Sequence, residues 1–153
     1  MSRTAHSTFT LEREYPFPVA RVFAAWADPQ TKAKWFAGPK EWKQKHREQE
    51  FRVGGSEHLS GVWPGGKVSH FDSRYYDIVP NERIVFAYEM HIDTTRISVS
   101  LSTVEFKPGT DGGTRLVLTE QGAFLDGFDD PAGREKGTQG LLDNLASYLK
   151  SSS

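Results

Sequence analysis

Residues 131–150 read PAGREKGTQGLLDNLASYLK, and the side-chain spacing in this stretch points to a long terminal helix. Leu141, Leu142, Leu145, Tyr148 and Leu149 fall at i, i+1, i+4, i+7 and i+8, the apolar stripe of an amphipathic helix. Asp129 and Asp130 stand before Pro131, which suits a capped start with proline in the first turn. Gly133, Gly137 and Gly140 run along one edge of the stripe. Each glycine costs helix stability, so a packing or functional reason is expected for them. Nearly everything before this helix reads as strand. Its stripe therefore has one place to be buried, the concave face of a sheet. The bulky C-terminal half would seal that face, and the glycine-bearing half would leave room beneath it.

Working back along the chain, 114–121, 95–106, 84–91 and 68–79 read as strands separated by turn residues, among them Pro80-Asn81-Glu82 and the 108–113 run PGTDGG. Before them, 41–53 and 56–63 flank Gly54-Gly55, a hairpin signal. A two-residue turn there would pair Arg52 with Glu57, Phe51 with His58, Glu48 with Gly61 and His46 with Trp63. Val19, Val22, Phe23 and Trp26 keep helical spacing, and Asp28-Pro29 starts a second short helix over 30–36. A first strand covers 8–15. Residues 1–7 and 151–153 are expected to be flexible ends around a single domain, 8–150. The order is strand, two short helices, six strands, long helix. Short connections favour an antiparallel meander, so the expected fold is α+β: a curved antiparallel sheet of about seven strands gripping the last helix.

Composition narrows the function classes. The chain has 153 residues, enough for one domain with a substantial core. Nineteen basic and 20 acidic side chains give a net charge of −1, with no electrostatic reason to expect nucleic acid or an anionic membrane as partner. No cysteine is present, which excludes disulfides, thiolate metal sites and a cysteine nucleophile and fits a cytoplasmic location. No apolar run approaches a membrane span, and no signal-peptide core opens the chain. Ten Phe, five Tyr and four Trp can fill a core or line a pocket for an apolar ligand.

Several ordered motifs resemble a known family. They are the 26–35 stretch WADPQTKAKW, the FRVGG hairpin at 51–55, YYDIVP at 75–80 with IVF at 84–86, VEF at 104–106, GTRL at 113–116 with TEQG at 119–122, and GTQGLLDNL at 137–145. Together they resemble the SRPBCC superfamily, and within it the activator of Hsp90 ATPase (AHSA1)-like branch. The resemblance covers nearly the whole chain and implies a Bet v 1-like helix-grip fold with a cavity between sheet and long helix. Relatives include START lipid-binding domains and polyketide cyclases. Many carry Trp directly after the helix glycine, where this chain has Thr138.

No histidine pair has metal-ligand spacing, no glycine pair sits before a helix as a phosphate loop does, and no Gly-x-Ser-x-Gly elbow occurs. Neither a metal nor a cofactor is expected. Glu120 alternates with Leu116 and Leu118, so it points inward, as a salt-bridged strand-end carboxylate or as an acid–base group with a raised pKa. The hairpin register turns His58 toward the same interior and His46 to the opposite side. Ile84, Phe86, Tyr88 and Met90 share one strand face; Ser98, Ser100 and Ser102 share another, leaving Ile97, Val99 and Leu101 to be covered, for instance by a dimer partner. The expected function is binding of a small apolar or amphipathic molecule by Trp35, Phe51, His58, Phe71, Phe86, Tyr88, Met90, Glu120, Gly137, Thr138 and Leu141, in a monomer or homodimer. The alternatives are a cyclase- or hydrolase-type enzyme using a pair such as His58 and Glu120, and, as the resemblance implies, a stress-response module that engages a chaperone ATPase.

Overall fold

The protein, described here by a computed structural model over residues 2–152, forms one seven-stranded antiparallel sheet and three α-helices. The elements are β1 (Thr4–Tyr15), α1 (Val19–Ala27), α2 (Pro29–Lys32), β2 (Lys43–Gln49), β3 (Ser56–Val62), β4 (Val68–Val79), β5 (Arg83–Ile92), β6 (Thr95–Pro108), β7 (Thr114–Leu125) and α3 (Pro131–Ser151). The spatial order is β1-β7-β6-β5-β4-β3-β2. Strands β2 to β7 form the expected meander, and β1 returns to pair with β7. The sheet curves around α3, which gives the helix-grip fold.

Element bounds differ from expectation where polar sequence hides regular backbone. Strand β1 begins at Thr4, because residues 4–7 pair with 122–125 of β7. A ladder is made by backbone groups and does not need apolar side chains. Helix α2 stops at Lys32, well short of residue 36. Its start is as expected: Asp28 accepts hydrogen bonds from the Thr31 N–H (3.3 Å) and hydroxyl (2.6 Å). At α3, Asp130 accepts from the Gly133 N–H (2.7 Å), with Pro131 in the first turn.

The hairpin between β2 and β3 corrects the expected register. Gln49 pairs with Glu57, Glu48 with His58 and His46 with Ser60, so Phe51 is not opposite His58. The connection is six residues, 50–55, rather than two. Glu50 donates to the Ser56 carbonyl (2.8 Å), Gly55 to that of Arg52 (2.8 Å), and Gly54 takes φ +84°. Gly54 also donates to the Tyr75 carbonyl (2.8 Å), while the Tyr75 N–H donates to Gly55 (3.0 Å). The loop is thus tied to β4 instead of closing tightly on itself. The shift changes parity, and parity decides which face a side chain occupies. Glu57, Leu59 and Gly61 turn to the concave face, and His58 turns to the outer one.

Two devices fix the concave side. Leu142, Leu145 and Leu149 of α3 are buried among Tyr15, Val22, Val104 and Leu116. Tyr15 donates from its hydroxyl to the Leu142 carbonyl (3.0 Å), and Arg21 donates to the Leu149 carbonyl (2.7 Å), tying α3 to the start of the chain. On the other side, Lys32 and Glu57 form an ion pair at 2.6 Å, each residue 1% exposed. Tyr75 donates to the same Glu57 oxygen (2.8 Å), and the ammonium lies 4.3 Å from the Phe36 ring centroid. Burial lowers the Lys32 pKa, against the pull of Glu57.

Leu145 has no exposed surface, and Leu145→Ala is expected to cost about 2–5 kcal/mol. A denaturant midpoint equal to wild type would show that α3 does not dock this way. Lys32→Met strands a buried carboxylate and is expected to cost about 3–5 kcal/mol, most of it recovered in Lys32→Met/Glu57→Gln. Chemical denaturation of the two single variants and the double variant measures both terms.

Candidate functional site

Large side chains leave the first half of α3 uncovered. From Pro131 to Gly140 its inward positions are Gly133, Arg134, Gly137 and Thr138. Beneath them lies a cavity of about 530 Å³. Gly137 lines this space, and a side-chain carbon added there would meet no atom of another segment within 4 Å. Strands β4 and β5 supply Phe71, Phe86, Tyr88 and Met90, strand β7 supplies Leu118 and Glu120, and Leu141 closes the helix side.

The remaining wall comes from the segment after α2 and from β3. Phe36, Gly38, Pro39 and Trp42 line it, with Leu59 and Trp63. Trp42 lies flat against the sheet because Gly61 stands beneath it: a Cβ at Gly61 would come within 2.1 Å of the indole. The Trp42 N–H donates to Ser69 Oγ (3.0 Å), which fixes the ring's position.

One polar chain crosses this apolar surface. Arg134 of α3 reaches across to β6, where Nη2 donates to Ser98 Oγ (2.8 Å) and to Asp129 Oδ2 (2.9 Å). Its Nη1 donates to Tyr88 Oη (3.1 Å). The guanidinium lies 5.1 Å from the Phe124 ring centroid, and the side chain is only 11% exposed. Tyr88 in turn donates to Glu120 Oε2 (2.8 Å), and Ser102 donates to Glu120 Oε1 (2.6 Å). Both Glu120 oxygens thus accept a hydrogen bond from a neutral hydroxyl.

Burial dominates the electrostatics. It raises the Glu120 pKa above the usual carboxylate range, and the bonds from Ser102 and Tyr88 and the charge of Arg134 offset only part of the shift. Burial and the neighbouring Glu120 raise the Tyr88 phenol. Burial opposes the Arg134 charge, but Tyr88 and Asp129 outweigh it and hold the guanidinium above its ordinary value. The site can therefore hold a proton on a carboxyl group beside a cation that is already engaged.

Eight of the eleven expected residues line the cavity: Phe71, Phe86, Tyr88, Met90, Glu120, Gly137, Thr138 and Leu141. Three do not. Trp35 is buried behind Trp26 (ring centroids 4.8 Å apart), donates to the Ala25 carbonyl (2.9 Å) and accepts from Asn144 (3.3 Å). Phe51 sits in the β2–β3 loop, its ring edge-on to Tyr75 at 5.0 Å. His58 is on the outer face, its Nδ1 2.7 Å from Asp72 Oδ1. His46 shares that face, since both histidines approach Glu48 at 3.5 and 3.9 Å. The His58–Glu120 pair is consequently not assembled. Among the described residues, no three of His, Cys, Asp and Glu come together so as to hold a metal, and no helix is long and apolar enough to cross a membrane.

Sequence reasoning missed Arg134 and Asp129, and the wall formed by Phe36, Trp42, Leu59 and Trp63. Arg134 was the legible one. It lies four residues before Thr138 and seven before Leu141, on the same helical stripe. Extending the stripe one turn toward the N-terminus would have found it. Of the β6 serines seen in the sequence as a polar row, Ser98 and Ser100 accept from it, and Ser102 donates to Glu120.

Residues 16–150 match the family described as activator of Hsp90 ATPase homolog 1-like protein, and the chain belongs to that family. An uncharacterised protein from Rhizobium leguminosarum has a similar structure, with TM-score 0.93, 44% identity, and 99% of each chain covered. A protein from Rhizobium loti superposes with TM-score 0.88 at 46% identity, over 95% of this chain and 99% of its own. An AHSA1-like protein from Aeromonas hydrophila, at 22% identity and TM-score 0.69 over 95% and 93% of the two chains, shares the fold. No curated protein matches the sequence.

The raised Glu120 pKa has a sign that can be checked. The native state holds this proton more tightly than the unfolded chain, so Glu120's contribution to stability is greatest below the ordinary glutamate range. It declines as pH rises from there through the native value, by at most about 1.4 kcal/mol per pH unit. Glu120→Gln removes the titration. Its stability relative to wild type is expected to improve over that window, as read from urea denaturation at several pH values. Parallel curves would contradict the assignment.

Proposed function

We propose that this protein binds a small apolar or amphipathic molecule in the cavity between the sheet and α3, as a monomer or homodimer in the cytoplasm. The observation that carries this reading is the 530 Å³ space under Gly137 and Thr138, with aromatic walls and one polar chain. Its size falls in the range of ligand pockets, about 300–1,000 Å³, and so does its character, mostly apolar with a few fixed polar groups. Interiors are normally close-packed, so a space of this size beneath a helix that could have carried larger residues is a feature to be explained. Val99 and Leu101, exposed on the outer face of β6, support a homodimer.

Glu120 favours one second reading, an enzyme of the cyclase or hydrolase kind. Its carboxyl group, with a pKa raised by burial, faces the cavity and could transfer a proton to or from a bound substrate. The family's description supports a third role, as a stress-response module acting on a chaperone ATPase. That role would not need the cavity.

Thr138→Trp tests the main reading. The ring is expected to enter the cavity with stability held or raised, while uptake of an environment-sensitive apolar dye falls. If wild type takes up no dye and the variant is destabilised by about 1–3 kcal/mol, as for an overpacked core, the cavity is not a binding site.

A further inference from the structure

We infer that the molecule held in this cavity is an apolar amine, bound as an ammonium group against Glu120 with its hydrocarbon on the aromatic walls. This inference rests on the cavity being a ligand site, and it concerns what that ligand must carry.

The charges lining the cavity decide it. Two carboxylates, Asp129 and Glu120, face one guanidinium, Arg134. Arg134 is already engaged. It is bonded to Asp129 (2.9 Å), Ser98 (2.8 Å) and Tyr88 (3.1 Å), and its guanidinium lies over the Phe124 ring. Asp129 answers its charge directly. Glu120 receives only neutral donors, the hydroxyls of Tyr88 and Ser102. The buried ammonium nearest this wall, Lys32, lies behind Phe36 and is bound to Glu57 at 2.6 Å. Among the described residues, the one cation facing an ionised Glu120 is therefore Arg134, whose charge Asp129 already answers, in a site whose other walls are mostly apolar.

Each class of ligand head meets this arrangement differently. A carboxylate would add a third negative charge beside a guanidinium whose bonds are taken. An alcohol could donate one neutral hydrogen bond to Glu120. An ammonium supplies the missing counter-charge and charge-assisted N–H bonds, which are roughly twice as strong as neutral ones. The rings of Trp42, Trp63, Phe71 and Phe86 add the attraction of aromatic faces for organic cations. Burial is also what raises the Glu120 pKa, and the Arg134 charge, shared with Asp129, offsets only part of it. An arriving ammonium would reverse that, so binding and proton loss at Glu120 are coupled. The groups facing this carboxyl are Tyr88 of β5, Ser102 of β6, and Arg134 with its partner Asp129 at the start of α3.

Octylamine, octanol and octanoate, equal in chain length and differing in head group, distinguish these cases in a calorimetric titration or by displacement of an apolar dye. Octylamine is expected to bind at least about tenfold more tightly than octanol, with octanoate weakest. In Glu120→Gln, octylamine should lose about tenfold or more, while octanol stays within about twofold. Wild type alone supplies a second readout: octylamine affinity should fall on acidification through the Glu120 titration, and octanol affinity should not. Octanoate binding as tightly as octylamine, an amine preference that survives Glu120→Gln, or an amine affinity independent of pH would each overturn the inference while leaving the cavity a binding site. Failure of all three compounds to bind would overturn both.

Discussion

A single helix must cover the concave face of a seven-stranded sheet, and only half of that helix carries the bulk to do it. Leu142, Leu145 and Leu149 are fully buried against the sheet and α1. Each such side chain contributes about 1.5–3 kcal/mol of transfer free energy, so the C-terminal half of α3 is the anchor. Tyr15 and Arg21 bond two α3 carbonyls and set the angle at which the helix crosses. With that half fixed, the direction of the other half is fixed too. Whatever lies between it and the sheet follows from the size of residues 133–138.

The N-terminal half is held by a different kind of interaction. Arg134 spans the gap that Gly137 and Thr138 leave and bonds to the serines of β6 and the tyrosine of β5. A buried polar group is tolerable when every bond is made, and here one chain runs from Asp129 through Arg134 and Tyr88 to Glu120 and Ser102. The chain props the helix above the sheet without filling the space. An aliphatic residue at 134 could pack into the cavity; an arginine bonded at its tip takes the edge of the cavity and leaves its middle open. The Lys32–Glu57 pair acts differently. It ties α2 to β3 behind the aromatic wall.

The packing of α3 on the sheet sets where the cavity lies but leaves its chemistry to individual residues. The Rhizobium leguminosarum relative shares nearly the whole backbone with this chain at 44% identity, and backbone agreement of that kind does not determine which side chains face the pocket. The polarity of this site is set by Glu120, Arg134 and Asp129, and its openness by Gly137 and Thr138. The outer face of the same sheet carries a separate group of histidines and carboxylates, His46, Glu48, His58, Asp72, Glu89 and His91, joined by ion-pair contacts.

Periodicity along the chain was enough for the helix-grip fold, the α3 stripe, both proline-marked helix starts and the inward faces of β5, β6 and β7. Glu120 and the Ser98–Ser100–Ser102 row were legible for the same reason, since alternation in a strand places side chains by simple counting. Counting failed at the β2–β3 connection. Gly54-Gly55 signals a tight turn locally, yet the loop bonds to Tyr75 of β4, a partner more than 20 residues away. That distant bond lengthened the loop, changed the strand parity and moved His58 out of the site. Trp35 and Phe51 were displaced from the cavity by their neighbours in space, Trp26 and Tyr75. Side-chain periodicity, being a local property, determined the fold and the part of the cavity wall that β4, β5, β7 and α3 supply. The sheet register and the partners of Arg134 arise between segments far apart in sequence, so only the folded chain decided which charges the cavity contains.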